Sequence, residues 1–543
     1  MPRCLLCYMH KGMFLIISFI LLGGVFISSE RFMNVENDPK AYFILISVIL
    51  LLLVCSVTRN GLSGIIEALQ SPEMGIGITA ICLILSTYGL LQFFGIVPSR
   101  NPTFPITGKY ENPAGFAAIQ AAMFPFAFSI CMKKEARHWV RWYTGIASLL
   151  CFLTVVLSGS RAGVLSLCTA MVIVTAFRIN LLSFFKKRRW LLIPFIVGAV
   201  MICVGMYHIK SDSANGRMFV WQICMDLIKG HPLFGWGPGG FVKHYMDTQA
   251  AYFSMHPDSP YVMLADNVTH PFNEYIKLTV NFGLVGLVAS FSVLAIIVKR
   301  FLKLRDDIKV TGLAVVTSVF VMCQFSYPFH YAAVWFIMAI AILPALFKER
   351  KENDGIEILN ASRCLLPMLF SVLLVVVLRM SYLDLKWAAI SKRSLAGYTE
   401  RMLPYYESMK QPMRHNPLFL YNYAAELNYI GRYEESLTIT EECIQGWKDY
   451  DVQILLADNL EKTGQFEEAI NAYHHASNMI PCRFEPLENM MRLYWIHGDT
   501  LRAQKKAEEI IYKPVKISSY RVRRIKDHAQ QLRSLESNMQ INE

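Results

Sequence analysis

Long apolar blocks alternate with short polar segments over the first 384 residues of the chain. Each block holds roughly 17–24 residues, which is enough for a helix to cross a hydrocarbon core about 30 Å thick. The pattern predicts a transmembrane bundle of about eleven helices. The predicted spans are 13–29, 41–57, 76–97, 113–132, 143–158, 162–180, 190–208, 275–298, 311–327, 331–347 and 364–381.

Basic side chains are distributed unequally between alternate loops of this predicted bundle. One set of loops carries about 21 Lys and Arg residues, whereas the other carries about nine over more sequence. Because basic loops stay on the cytoplasmic side of a membrane, the distribution predicts a cytoplasmic N-terminus. An odd number of spans then places the segment after residue 384 on the outer side.

The longest polar interruption of the bundle is the loop 209–274, which the predicted topology places outside. Its stretch 217–229 has apolar residues at helical spacing and is followed by Gly-His-Pro, which terminates a helix. We predict that this helix lies along the membrane surface. The glycine-rich sequence HPLFGWGPGGF at 231–241 then predicts an ordered turn or a loop that packs closely against its neighbours.

The polar segment 385–543 contains a repeat. The sequence GRYEES at 431–436 recurs as GQFEEA at 464–469 and, weakly, as GDTLRA at 498–503. This spacing resembles that of the tetratricopeptide repeat, whose period is 34 residues. We therefore expect an all-α protein with a transmembrane domain at 1–384, which carries the loop 209–274, and a helical-repeat solenoid at 385–543. Such solenoids bind proteins or peptides, although some pack against their own chain.

Composition narrows the class of protein further. Apolar residues make up 54% of the chain and charged residues 17%, compared with about 25% charged in a soluble globular domain. The net charge of +12 does not indicate a nucleic-acid partner, because most basic residues flank apolar blocks. The 13 cysteines mostly lie inside apolar blocks, and the CxxC motif at 4–7 has no second pair to complete a metal site.

Familiar soluble-enzyme motifs are absent from the sequence. It contains no phosphate-binding loop, no HExxH and no GxSxG, which weighs against an ATPase, a zinc protease and a serine hydrolase. Asp449 and Asp451 form a DxD sequence inside the repeat region, far from any nucleotide-sugar context, and we interpret it as coincidence. Lys and Glu are nearly absent from the span interiors, which weighs against an ion-coupled transporter.

Two arginines on the predicted outer side are candidate anion ligands. Arg161 lies in SGSRAG at 158–163, between two apolar blocks, and Arg217 lies at the start of the predicted surface helix. Two guanidinium groups can hold a diphosphate through bidentate hydrogen bonds without a metal. The alternatives are an ordinary interfacial arginine for Arg161 and a solvated helix-end charge for Arg217.

The sequence HPFNEY at 270–275 directly precedes an apolar block and supplies candidate proton acceptors. A histidine there can be a general base, because its reference pKa is near neutral. Alternatively, His270 is a capping or interface residue, and Asn273 and Glu274 cap the next helix.

These sequences, in this order, resemble the O-antigen ligase family (the Wzy-C superfamily), which includes O-antigen ligases, O-antigen polymerases and O-linked oligosaccharyltransferases. The matching pieces are SGSRAG at 158–163, Arg217 with Trp221, HPLFGWGPGGF at 231–241 and HPFNEYIKLTVNFGLVGL at 270–287. The resemblance covers about residues 145–345.

The resemblance implies a glycosyltransferase that moves a glycan from undecaprenyl diphosphate to a hydroxyl of a lipid or protein acceptor, without a metal or other cofactor. Arg161 and Arg217 would bind the donor diphosphate, and His270 or Glu274 would act on the acceptor. Ser160, His231 and Asn273 are further loop contributors in this interpretation. Many relatives read HPHNE, whereas this chain has Phe272 in place of the second histidine, so that role would fall to His270 or Glu274.

The same resemblance implies a bacterial inner-membrane protein whose C-terminal repeats lie in the periplasm and could bind a protein partner. Three alternatives stay open. A polymerase of the same family would use a second lipid-linked glycan as acceptor, a non-enzymatic scaffold would recruit envelope proteins through its repeats, and a transporter would move the lipid donor across the bilayer.

Overall fold

A computed structural model of the chain describes residues 2–58, 61–179, 211–347 and 360–540. These residues form helices joined by turns, and no β-strand occurs among them. The chain divides into two compact units. The first comprises Met1–Met206, Phe272–Tyr275 and Val288–Ala389, and the second comprises Tyr207–Pro271, Ile276–Leu287 and Ile390–Glu543.

The helices are numbered here along the described residues. The first seven are α1 Pro2–Phe26, α2 Asn37–Val57, α3 Gly61–Gln70, α4 Pro72–Phe93, α5 Pro113–Cys131, α6 His138–Leu157 and α7 Arg161–Arg178. They are followed by α8 Ser211–Gly230, α9 Gly240–Met255, α10 Glu274–Phe301, α11 Asp306–Phe325, α12 Ala332–Leu346 and α13 Asn360–Arg393. The C-terminal helices are α14 Thr399–Met413, α15 Pro417–Tyr429, α16 Tyr433–Ile444, α17 Tyr450–Lys462, α18 Phe466–Met479, α19 Glu485–Ile496, α20 Thr500–Tyr512 and α21 Tyr520–Gln540.

Among the described residues, eight helices are long and apolar enough to cross a membrane. Seven of them are α2, α4, α5, α6, α7, α10 and α11, and the eighth is the stretch Leu365–Met413, in which Gly397 interrupts the helix with a φ of 91°. Two shorter apolar helices, Gly12–Phe26 and α12, coincide with the predicted spans 13–29 and 331–347. The predicted span 190–208 lies outside the described residues, so the count of about eleven stays a prediction.

Helix α5 forms the centre of the first unit. Its apolar stretch is 78% buried, whereas that of α2 is 22% buried. A polar cluster crosses this interior, where Gln120 donates from Nε2 to the Ser86 hydroxyl at 2.8 Å and accepts from the Cys82 thiol at 3.1 Å. Because an apolar interior offers no water to such groups, their mutual hydrogen bonds fix how α4 and α5 pack.

Polar contacts identify the two ends of the first unit. At one end, Asp307 at the start of α11 pairs with Lys133, which follows α5, and with Arg178, the last residue of α7. At the other end, Asn112 caps the start of α5 and donates to the Tyr327 hydroxyl at 3.0 Å. We call these the Asp307 end and the Tyr327 end. Helix α7 finishes at the Asp307 end, so it begins at the Tyr327 end.

The second unit joins the loop helices α8 and α9 to the C-terminal helices. Helix α9 packs along α18, where Gln249 donates from Nε2 to the carbonyl of Met479 at 2.6 Å. Asp247 on α9 pairs with Lys448 at 2.5 Å and with His475 at 3.0 Å. The division predicted from the sequence placed the loop with residues 1–384, whereas the structure groups it with residues 390–543.

The repeated sequences of the C-terminal region form the same local structure three times. Each repeat glycine adopts a left-handed conformation after a helix, and the next residue donates its N–H to a carbonyl five residues earlier. The small residue five positions after each glycine is fully buried. The glycines are Gly431, Gly464 and Gly498, and the small residues are Ser436, Ala469 and Ala503. The period therefore reflects one repeated helix–turn–helix unit, while its assignment as a tetratricopeptide repeat stays a prediction.

Candidate functional site

Arg161 is the first residue of α7, and its neighbours form the turn that precedes it. The Ser160 hydroxyl caps α7 by accepting the N–H of Gly163 at 3.3 Å. The positive end of the helix dipole lies at this terminus, so a cation there is disfavoured by roughly 0.3–1 kcal/mol. An anion bound at the same place would be favoured by both the dipole and the guanidinium group. The local structure thus suits anion binding, and a direct ligand role for Ser160 stays a prediction.

An apolar groove runs along α7 from the turn after Arg161. Leu165 and Thr169 follow Arg161 at intervals of four residues, which places all three on one face of the helix. The groove has a volume of about 450 Å³. Its remaining lining is Tyr275 with Thr317, Phe320, Val321, Gln324 and Phe325 of α11. A half-buried arginine above an apolar groove is the arrangement expected for a lipid with an anionic headgroup.

Arg217 lies in the second turn of α8, because this helix begins at Ser211. The sequence correctly predicted a helix here but placed its start six residues too late. Trp221, one turn after Arg217 on the same face, donates from its indole nitrogen to the carbonyl of Pro271 at 2.9 Å. Since Pro271 follows His270 directly, this hydrogen bond brings the helix of Arg217 and the segment of His270 together within the second unit.

The HPFNE segment has a constrained backbone. Phe272 has a φ of 54° and is the single non-glycine residue with a positive φ among the described residues. Such a conformation costs about 1–3 kcal/mol and is often found at functional sites. Its ring lies 5.9 Å from that of Tyr327, so Phe272 lies at the Tyr327 end of the first unit, where α7 begins at Arg161.

Asn273 and Glu274 occupy the start of α10. The Asn273 carboxamide oxygen accepts the N–H of Tyr275 at 2.9 Å, which is the capping interaction considered from the sequence. Glu274 lies in the first turn, where the helix dipole favours a carboxylate. The Nδ1 atom of His270 and one carboxylate oxygen of Glu274 are both buried. These two atoms are shielded from bulk water, whereas each residue as a whole is half-buried.

The glycine-rich sequence 231–241 packs against a break in α10. Gly283 has a φ of 66° and a ψ of −168°, which interrupts the helix. The loop replaces the missing helical hydrogen bonds. Trp236 N–H donates to the carbonyl of Val280 at 2.9 Å, and Leu284 N–H donates to the carbonyl of Pro232 at 2.9 Å. A backbone break in an apolar helix persists only where other groups satisfy it, and this loop does so.

Two histidines enclose the indole of Trp236 in this loop. The ring centroid of His231 lies 4.0 Å from that of Trp236, and that of His244 lies 4.2 Å away. Burial and the neighbouring charge of Lys243 hold the pKa of His244 below its usual value. His231 itself is exposed, and its proposed contribution to the site stays a prediction.

The two units divide the candidate residues between them. Arg217, His231 and His270 belong to the second unit, whereas Arg161, Ser160, Asn273 and Glu274 belong to the first. The structure joins Arg217 to the His270 segment, and it places Arg161 and the Phe272 segment at the same end of the first unit. The convergence of Arg161 with Arg217 stays a prediction.

No cluster of His, Cys, Asp and Glu that could hold a metal occurs among the described residues. Asp449, the first residue of the DxD sequence, caps α17 by accepting the N–H of Val452 at 3.0 Å. It also accepts from the Asn267 side chain at 3.1 Å. Burial raises the pKa of this carboxyl group above its usual value. These contacts give Asp449 a structural role as a helix cap and a partner of Asn267.

The apolar helices indicate a multi-pass membrane protein. Its candidate residues are the basic and carboxylate side chains at the starts of α7 and α10 in the first unit, and the basic and histidine side chains of the loop 209–274 in the second unit. The family model described as O-Antigen ligase (Wzy_C) matches residues 146–291. This range includes every candidate residue named above, from Ser160 to Glu274, together with the break at Gly283. A comparison with curated proteins found no match.

Proposed function

We propose that this protein is a membrane glycan ligase. It transfers a saccharide from undecaprenyl diphosphate to a hydroxyl group of a lipid or protein acceptor on the periplasmic face. The observation that carries the proposal is the O-antigen ligase match at 146–291, because it includes both candidate arginines and the HPFNE segment. The repeats at 385–543 would lie on the same side as the reaction.

The donor would be held through its two distinct chemical parts. Arg161 and the start of α7 would bind the diphosphate, together with Arg217 from α8, through charge-assisted hydrogen bonds. The polyprenyl chain would lie in the apolar groove of about 450 Å³ that begins one turn after Arg161. A donor with an anionic part and an apolar part would account for an arginine that lies one helical turn from an apolar groove.

The reaction itself would be a single displacement at the anomeric carbon. The acceptor oxygen attacks that carbon, the bond to the diphosphate oxygen breaks, and the configuration inverts. His270 accepts the proton of the attacking hydroxyl, with Glu274 as the second candidate base. The arginines stabilise the negative charge that develops on the departing undecaprenyl diphosphate, so the step requires no metal.

Transfer by purified full-length protein tests this proposal. Lipid-linked oligosaccharide is incubated with a lipid acceptor or a protein acceptor, and the glycosylated product is quantified. We expect Arg161→Ala and Arg217→Ala to lower the rate about 100-fold, in line with the loss of a group that stabilises developing charge. We expect His270→Ala to lower the rate by a similar factor.

Lys229→Ala is the matched control, because Lys229 lies on the same helix as Arg217 but its side chain is 75% exposed and pairs with Asp226. This variant should keep the wild-type rate. Normal transfer by all three site variants would overturn the proposal. Growth of a ladder on the donor lipid without any other acceptor would identify a polymerase instead of a ligase.

A further inference from the structure

A large cavity lies at the Asp307 end of the first unit, where the proposed transfer reaction makes no use of it. Its volume is about 800 Å³, and it is enclosed by α4, α7, α11, α12 and the connection between α5 and α6. Helix α7 has 18 residues and is therefore about 27 Å long, which separates this cavity from Arg161 at the other end.

Basic side chains outnumber acidic ones in the polar part of the cavity wall. Lys133, Arg137, Arg178 and Arg305 all line it. Lys133 and Arg178 share a single carboxylate, that of Asp307. Among the described residues, Arg137 forms no ion pair. The polar wall therefore presents more positive than negative charge.

The acidic residues of the wall do not reverse this excess. Asp306 pairs with Lys309 at 2.6 Å, and Asp307 already faces two cations. Glu135 is exposed. The wall thus carries four basic and three acidic side chains, and Asp306 is already paired with a lysine outside the wall.

Arg178 offers a donor to such an anion. Its side chain is 14% exposed, and its terminal nitrogen donates to Asp307 at 2.7 Å and to Ser129 at 3.4 Å. Its Nε atom is buried and has no hydrogen-bond partner among the described residues. A buried N–H without an acceptor destabilises the folded protein. A bound anion would supply the hydrogen-bond acceptor that Arg178 Nε lacks.

Apolar side chains form much of the remaining cavity wall. Ile76 of α4, Ile130 of α5 and Ile340 and Pro344 of α12 are among them. The N-terminal turn of α4, with Pro72 after the capping Ser71, also borders the cavity and adds the positive end of a helix dipole. One ligand must therefore combine a negative charge with hydrocarbon.

We propose that this cavity binds the phosphate group of an anionic phospholipid from the membrane leaflet at the Asp307 end. The phosphate accepts from Arg178 Nε and lies near Lys133 and Arg137, while the acyl chains cover the isoleucine wall. Free phosphate carries a negative charge like the phospholipid, but it has no acyl chains to cover the apolar wall. The proposal does not depend on the glycan reaction, since the two sites lie at opposite ends of α7.

Native mass spectrometry of the full-length, delipidated protein tests this site. Phosphatidylglycerol, phosphatidylcholine with the same acyl chains, and inorganic phosphate are compared as probes, and the melting temperature is measured with each. We expect phosphatidylglycerol to bind about tenfold more tightly than phosphatidylcholine, which corresponds to about 1.4 kcal/mol. Millimolar inorganic phosphate should neither displace it nor raise the melting temperature to the same extent.

Substitutions locate the binding. Arg178→Gln should weaken phosphatidylglycerol binding about tenfold, and Arg137→Gln about threefold. Because Arg137 is exposed and forms no ion pair among the described residues, the second variant stays informative if Arg178→Gln does not fold. Lys303→Gln removes an exposed cation of the same end that does not line the cavity, and it should bind like the wild type.

Three results would overturn the proposal. Equal binding of phosphatidylglycerol and phosphatidylcholine would show that the cavity does not select an anionic headgroup. A loss of binding in Lys303→Gln as large as in Arg137→Gln would show that binding depends on the general surface charge and not on the cavity. An equal effect of inorganic phosphate alone would assign the cavity to a soluble anion.

Discussion

Trp221 joins two pieces of the matched segment that lie 50 residues apart in the chain. Its indole N–H is bonded to the carbonyl next to His270, and the turn that carries Trp221 also carries Arg217. The partly buried indole therefore fixes the position of the candidate base relative to one candidate diphosphate ligand. Trp221 is thus a positioning residue, because it acts through His270.

Trp221→Phe keeps the aromatic ring and removes the N–H donor. We expect the maximal transfer rate to fall several-fold, since a lost hydrogen bond of this kind costs about 1 kcal/mol. Donor KM should change little, because the phosphate ligands stay in place. Steady-state kinetics with the lipid-linked donor measure both values.

Trp142→Phe serves as the control for this substitution, because the exposed indole of Trp142 bonds to His138 on its own helix. Its kinetics should match the wild type. A wild-type maximal rate in Trp221→Phe would show that the indole N–H does not position His270.

The sequence supplied candidate residues for the site but not their partners. Helical spacing predicted a helix that begins at Arg217, and the resemblance added Trp221. The bond from Trp221 to Pro271 could not be predicted, because it joins two segments whose packing depends on the whole second unit. For Asn273 the sequence left two roles open, and the structure shows the capping contact.

At the scale of single elements, the break in α10 is the feature that sequence patterns missed. The apolar run at 275–298 predicted one continuous span, because glycine is common in membrane helices and does not by itself end one. The break at Gly283 depends on a loop more than 40 residues earlier, which supplies donors and acceptors to the interrupted backbone. Apolar periodicity contains no information about such a partner.

Gly283→Ala should destabilise the loop 231–241 and lower transfer. Its φ of 66° disfavours any side chain, and an added Cβ would overlap the carbonyl oxygen of Leu233. We expect a loss of about 2–3 kcal/mol in the stability of this region. Hydrogen–deuterium exchange of residues 231–241 reports the effect directly.

Gly216→Ala is the paired control, because Gly216 lies within α8 and an added Cβ meets nothing within 4 Å. It should leave exchange unchanged or slow it slightly, since alanine favours a helix over glycine. Equal exchange in Gly283→Ala and wild type would contradict the assigned role of the break.

At the scale of the whole molecule, the loop before α10 and the C-terminal repeats form one folded unit. The sequence predicted both parts, including the helix of the loop and the repeat period. It did not predict that they pack together, because Asp247 and Gln249 bond to a side chain and a backbone carbonyl that lie 201 and 230 residues further along the chain. Deleting residues 385–543 would therefore disturb the loop as well, and this deletion cannot separate an enzyme from a scaffold.

The Asp247 cluster predicts how this unit responds to acid. Burial alone would raise the pKa of Asp247, but hydrogen bonds from His475 and Lys448 outweigh burial and hold the pKa below its usual value. A carboxyl with a lowered folded-state pKa stabilises the fold fully above its unfolded value of about 3.9. This contribution is lost as the pH falls through the lower folded value.

Asp247→Asn should therefore lower the stability by about 0.5–1 kcal/mol at neutral pH and reduce the loss of stability below about pH 4. Thermal unfolding followed by tryptophan fluorescence at several pH values measures this difference. Asp258→Asn, at an exposed carboxylate of the same loop, should behave like the wild type. Parallel pH profiles for Asp247→Asn and wild type would contradict the prediction.

The proposed reaction requires Arg161 and Arg217 to hold the same diphosphate. A double-mutant cycle on the affinity for undecaprenyl diphosphate tests it most directly, with Arg161→Ala, Arg217→Ala, the double variant and wild type. We predict that each single substitution weakens binding about tenfold or more, and that the double variant departs from additivity by about 1 kcal/mol or more. Unchanged affinity in either single variant, or strictly additive losses, would contradict a shared ligand.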